Sequence, residues 1–129
     1  MPKPVIKIDC PCASGQLYQD CCEPYHLSLG APNAEKLMRS RYSAYVLGLE
    51  EYLLNTWHPN TRPQYLNLGQ DRTQWLGLEV KRFEPDDDSA IVEFVAKYKL
   101  NGKAEKLHET SRFKRIATRW FYVDGDDEA

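Results

Sequence analysis

The chain has 129 residues, a formal net charge of -2, 42% hydrophobic residues and 28% charged residues. Those proportions belong to one globular domain with a buried core and exclude a disordered or collagen-like chain. The balanced, slightly acidic charge supplies no dense positive field, which argues against nucleic acid as a partner. No apolar run reaches the ~20 residues that cross a bilayer.

Residues 1–24 are rich in Pro, Cys and Gly and show neither helical nor strand periodicity. The basic start, Met1 to Lys7, lacks the apolar region of a secretory leader, so a cytoplasmic address is expected. All four cysteines, Cys10, Cys12, Cys21 and Cys22, fall in this short stretch. In a reducing compartment such clusters are more often metal ligands than disulfides. A vicinal Cys21–Cys22 bridge would close a strained ring, and the Cys-x-x-Cys spacing of a redox dithiol is absent. Two cysteine pairs on two hairpin-like pieces can instead form a tetrahedron with sulfur about 2.3 Å from one structural zinc. Such a site is saturated and leaves no bound water to activate. Iron in the same four-sulfur set, and His26 in place of one cysteine, stay open at this point. Ser14 and Gly15 offer a turn whose amides can donate to thiolate, and Lys3 and Lys7 can offset more of the charge.

Residues 25–33 read as a connector, with Asn33 placed to cap the next helix. From Ala34, Leu37, Met38, Tyr42, Tyr45, Val46 and Leu49 recur at steps that trace a helical stripe. Glu50 to Trp57 reads as a shorter helix ended by His58-Pro59. Residues 59–74 are irregular, with a helical turn expected near Asp71–Trp75. Strands follow over Leu76–Phe83, Ala90–Leu100, Glu105–Ile116 and Arg119–Val123, with Asn101-Gly102 as a two-residue hairpin turn. The acidic end, residues 125–129, is expected to be disordered. Helices followed by an antiparallel meander make an α+β layer architecture, the sheet curling round the helices to leave a concavity.

On the third strand, alternation puts Leu107, Glu109, Ser111 and Phe113 on the inward face, with His108, Thr110 and Arg112 on the other. A buried Glu109 needs a partner, and Arg41, at the edge of the helical stripe, is the expected one; Glu93 is the other carboxylate within Arg41's expected reach. Arg39 lies well round from the stripe. Glu109 and His108 are the catalytic candidates, and Arg41, Tyr42, Glu109, Arg112 and Trp120 the pocket candidates. No nucleophile beside a base, phosphate-cradling glycine loop or usefully spaced carboxylate pair supports an enzyme, so the balance leans against one.

The run from Cys10 to Cys22 resembles the SEC-C motif, the zinc module at the carboxyl end of the bacterial preprotein translocase motor. The body resembles the YchJ family of bacterial proteins at Ala34 to Tyr45, Thr56-Trp57-His58-Pro59, Val92-Glu93-Phe94, Leu107-His108-Glu109, Ser111-Arg112-Phe113 and Trp120 to Gly125. The resemblance covers nearly the whole chain. It implies a knuckle at 1–24 fused to an NTF2-like domain at 25–124, a cone of helices wrapped by a curved sheet. The leading expectation is a zinc-stabilised module that docks a protein partner. The competing one is a small-molecule binder or enzyme using the cone, and a third, nucleic-acid binding by the knuckle, is disfavoured by charge.

Overall fold

The structure is a computed structural model that describes residues 8–28 and 30–128. Lys3 and Lys7, expected to balance thiolate charge, lie outside the described residues.

The expected connector is half helix. Glu23–Ser28 forms α1, with Pro24 in its first turn, where a missing N–H costs nothing. The amides of Tyr25 and His26 donate to the carbonyl of Cys22, so this helix grows directly out of the last cysteine. It therefore runs straight through the expected boundary at 24/25.

Ala34–Leu47 forms α2, and Asn33 Oδ1 caps it by accepting from the Lys36 amide at 2.8 Å. It stops at Gly48, whose φ of 73° suits the left-handed position that ends a helix. Its inward stripe includes Leu37, Met38 and Tyr42 as expected, but Val46 is exposed while Ser40, Arg41, Ser43 and Ala44 are buried. Glu50–Asn55 forms α3, shorter than expected because the next residues leave the helix for the sheet. The Tyr122 amide donates to the Thr56 carbonyl, and the His58 amide to the Tyr122 carbonyl. Glu50 then accepts the amides of Leu66 (3.3 Å) and Leu68 (3.0 Å), which organises the irregular segment. The helical turn there is a 3₁₀ turn at Leu68–Gln70, ahead of its expected place.

Four strands, β1 (Gln74–Asp86), β2 (Ser89–Leu100), β3 (Lys103–Ile116) and β4 (Arg119–Asp127), form one antiparallel meander in sequence order. The β2–β3 turn places Asn101 and Gly102 at φ 53° and 79°, as that dipeptide predicts. Register shifts at Trp75/Gly77, Val80/Arg82 and Arg112/Phe113 bend the strands. The curved sheet closes over α2, whose Leu37 and Met38 join Val92, Ala96, Phe113 and Trp120 in the core. The result is the expected α+β cone.

The acidic end departs from expectation. β4 continues through Asp127, paired opposite Glu109, and the Glu128 amide donates to the His108 carbonyl. Arg112 holds this end by bonding Asp124 at 2.6 Å and Asp126 at 2.8 Å. Four acidic residues in a row of five read as a solvated tail, but a cross-strand arginine turns two of them into strand partners.

Candidate metal centre and the adjoining cavity

The knuckle is a small hairpin: the Cys10 amide donates to the Gln16 carbonyl and the Tyr18 amide to the Ile8 carbonyl. Ala13 and Gly15, at φ 63° and 87°, make its turn. That geometry brings Cys10 and Cys12 from one arm beside Cys21 and Cys22, which follow a 3₁₀ turn at Tyr18–Asp20. The four sulfurs lie within 4.8 Å of one another, and all four residues are buried. Cys12 Sγ is 3.6 Å from Cys21 Sγ, which is 4.0 Å from Cys22 Sγ. A tetrahedron with sulfur 2.3 Å from its centre has edges of about 3.8 Å, so the four cysteines fit a single metal ion. None of the four is paired in a disulfide.

Electrostatics points the same way. The neighbouring Cys22 thiol, against the effect of burial, holds Cys12 well below the usual thiol range. Cys22 itself is pushed up, first by that same contact with Cys12 and then by burial. Cys21 is raised chiefly by burial. Contact with Cys12 thus disfavours a second thiolate at Cys22, and a bound cation is what makes several thiolates in so small a space tolerable.

His26 stands apart from the four sulfurs. Its Nε2 donates to the Ser40 carbonyl at 2.8 Å and its Nδ1 accepts from the Tyr18 hydroxyl at 2.6 Å, so both ring nitrogens are used away from sulfur. The imidazole is a strut between knuckle and α2. Two further struts come from residues whose role sequence reasoning missed. Ser43 Oγ donates to Cys22 Sγ at 3.3 Å and lies 3.6 Å from Cys10 Sγ. Arg39, set round from the core stripe as expected, donates to the Cys12 carbonyl at 3.0 Å and pairs with Glu35. The signal was the buried helical face itself: Ser40 and Ser43, three apart, interrupt an apolar stripe where polar groups need partners. Ser14 Oγ, at 3.1 Å from Cys21 Sγ, completes the shell.

Beyond the knuckle, the cone holds a cavity of about 240 Å³ between α2 and the concave face of the sheet. Arg41, Tyr42 and Glu109 line it together with Tyr45, Trp57, Trp75 and Tyr122. The expected Arg41–Glu109 pair does not form, and neither does an Arg41–Glu93 pair. Arg41, 5% exposed, donates through Nη1 to the Leu53 carbonyl and Thr56 Oγ1, both at 2.7 Å. Its guanidinium lies 4.9 Å and 4.6 Å from the ring centres of Trp57 and Tyr122. Aromatic faces and helix-end acceptors thus stabilise the cation in place of a carboxylate. Glu109 Oε2 instead accepts from Ser111 Oγ and, at 3.4 Å, from the Tyr122 hydroxyl.

Three candidates lie elsewhere. His108 is on the outer face, donating to Glu93 at 2.7 Å, and Glu93 also accepts from Arg82. Arg112, a pocket candidate, is also outward, with its acidic β4 partners. Trp120 is buried in the core but does not line the cavity. Strand alternation had separated the inward Glu109 from the outward His108 and Arg112.

A glycine supports Glu109. The register pairs Ser111 with Gly125, and a Cβ at Gly125 would fall 2.9 Å from Glu109 Cγ. Only glycine there lets the Glu109 side chain lie across β4.

Residues 9–24 match the family model of the SEC-C motif, and residues 33–125 match that of the middle NTF2-like domain of YchJ. A UPF0225 protein of Chromobacterium violaceum is 56% identical over 126 residues, covering 90% of each chain. Another, of Bordetella pertussis, is 52% identical over 121 residues, covering 91% of each. The solution structure of a SEC-C motif containing protein from Rhodopseudomonas palustris is 31% identical, with a TM-score of 0.83 over 95% of this chain and 100% of that one. A crystal structure of a SEC-C motif containing protein from Psychrobacter arcticus is 33% identical, with a TM-score of 0.77 over 93% and 82%.

Proposed function

Since the chain belongs to the family in which a SEC-C motif precedes the YchJ-type NTF2-like domain, we propose that it is a zinc-stabilised docking module. The observation that carries this reading is the closed set of four buried sulfurs. Zinc is the metal assigned, one per chain, because it takes four thiolates in a tetrahedron without redox chemistry. All four positions are filled by protein, so the ion holds the chain in shape and activates no water. Its binding free energy is folding free energy for a segment with little core of its own. A cytoplasmic address accords with thiolate ligands, which persist in a reducing compartment. The partner proposed is a protein. Leu27, 81% exposed on α1 directly after the last cysteine, presents apolar surface beside the knuckle.

The test joins elemental analysis to capture. Protein purified without added metal is expected to carry one zinc per chain, lost in a Cys21→Ser, Cys22→Ser double variant. Intact protein should then retain specific partners that the double variant does not. Recovery of the same background set by both sinks the docking reading, and thiols free of zinc sink the metal assignment.

One observation favours a second reading, a small-molecule site in the cone: a buried arginine without a carboxylate partner faces an aromatic-lined cavity.

A further inference from the structure

The cavity is lined by a guanidinium, that of Arg41, and a carboxyl group, that of Glu109, which do not meet. Arg41 is buried, and among the described residues its hydrogen bonds to protein all leave from Nη1. No hydrogen bond from Nε or Nη2 to protein is formed among these residues. Glu109 is held from the other side by Ser111 and Tyr122 through Oε2 alone, with Oε1 accepting from no described residue. A buried arginine and a neighbouring carboxylate in the same pocket usually close on each other, since the direct bond relieves both desolvation costs. Here two separate sets of partners hold them apart. Burial acts on Arg41 to disfavour its charge, and the Glu109 field reaches it through space to support that charge. The unfilled capacity is therefore a donor group and an acceptor group in one cavity, with aromatic walls from Tyr42, Tyr45 and Trp75 between α2 and the sheet.

The complement of that arrangement is a molecule that carries one positive and one negative group beside an apolar, planar body. Volume limits its size: about 240 Å³ is below the range of drug-sized pockets and suits a molecule of amino-acid size. A purely anionic ligand would satisfy Arg41 and be repelled by Glu109. A purely cationic one would meet the reverse.

We propose that the cone binds a small zwitterionic ligand of the aromatic amino-acid class, its carboxylate bonded to Arg41, its ammonium to Glu109 and its ring among the aromatic side chains. The assignment rests on the small-molecule reading of the cavity and adds the ligand's chemistry to it.

Three probes with the same ring separate the two. Calorimetric titration of the intact protein compares phenylalanine with phenylacetate, which lacks the ammonium, and phenethylamine, which lacks the carboxylate. Phenylalanine should bind about tenfold or more tightly than either, because each charged hydrogen bond is worth at least a factor of that order. Glu109→Gln should bring phenylalanine down to the level of phenylacetate, and Arg41→Met to that of phenethylamine. If Arg41→Met fails to fold, the wild-type ranking and Glu109→Gln decide alone. Phenylacetate or phenethylamine binding as tightly as phenylalanine overturns the zwitterion and leaves a cavity site standing. No binding of any probe at millimolar concentration overturns both.

Discussion

Ser43, in the middle of α2, donates its hydroxyl to Cys22 Sγ at 3.3 Å, so a residue of the cone's central helix belongs to the shell of the cysteine centre. The same oxygen lies 3.6 Å from Cys10 Sγ. Knuckle and domain are thereby joined at the sulfurs themselves, with His26 bonded to the Ser40 carbonyl and Arg39 to that of Cys12.

The first consequence concerns metal retention. Replacing Ser43 with Ala removes a donor to thiolate and leaves all four cysteines in place. Outer-shell changes of this kind cost about 10–100-fold in metal affinity. Competition with a chromogenic chelator should show that loss while the far-ultraviolet dichroism of the sheet persists. An unchanged affinity would mean that the hydroxyl only fills space.

Alkaline pH should unfold the cone early. Burial pushes the Tyr52 hydroxyl up to about 12, and it also raises Tyr42, Tyr45 and Tyr122. A group whose folded pKa is raised stabilises fully below its unfolded value. That contribution is lost as pH rises through the folded value, so the window here runs from about 10 to about 12. Tyr52 alone contributes roughly 2–3 kcal/mol across it, at about 1.4 kcal/mol for each pH unit of that window. Tyr52→Phe loses the 2.6 Å contact with Ser40 but should unfold at higher pH than the parent, followed by tyrosinate absorbance. Coincident alkaline midpoints would remove Tyr52 from the account.

Gly125→Ala should destabilise by about 1–3 kcal/mol, because a methyl group there meets the stem of Glu109. Adding Glu109→Ala removes the obstruction, so the double variant should be more stable than the two single losses predict. A double-mutant cycle by urea denaturation measures that coupling. Additive losses would place the strain elsewhere.

Arg112→Ala should free the end of β4. Its partners Asp124 and Asp126 are exposed, so global stability should change by less than about 1 kcal/mol. Amide exchange at Asp126 and Asp127 should nonetheless accelerate, since that end is held by side chains over an acidic run. Unchanged exchange would show that the backbone ladder suffices.

Much of this was legible in the residues. The Cys-Pro-Cys and Cys-Cys pieces, the Asn33 cap, the Asn101-Gly102 turn and the alternation along β3 each act over a few neighbouring positions. Local chemistry therefore determined the helices, the meander order, the inward face of Glu109 and the four cysteines that gather at the centre. The misreadings had a different range. Residues 25–28 became helix as the Cys22 carbonyl accepts the Tyr25 and His26 amides, and the acidic end became strand because Arg112 reaches it from the neighbouring strand.

Arg41 marks the limit most clearly. Its place beside the core stripe could be read from helical spacing, and its need for a partner from the cost of burying charge. Which partner it took depended on the end of α3 with the adjoining ring of Trp57 and on the ring of Tyr122, brought to it from two distant parts of the chain. Ser43 took its sulfur partners for the same reason. Pairings across long sequence separations depend on how the sheet curves over the helices, and that curvature follows from bulges and packing throughout the fold. The sequence by itself determined which groups the site contains; only the tertiary structure decided which of them meet.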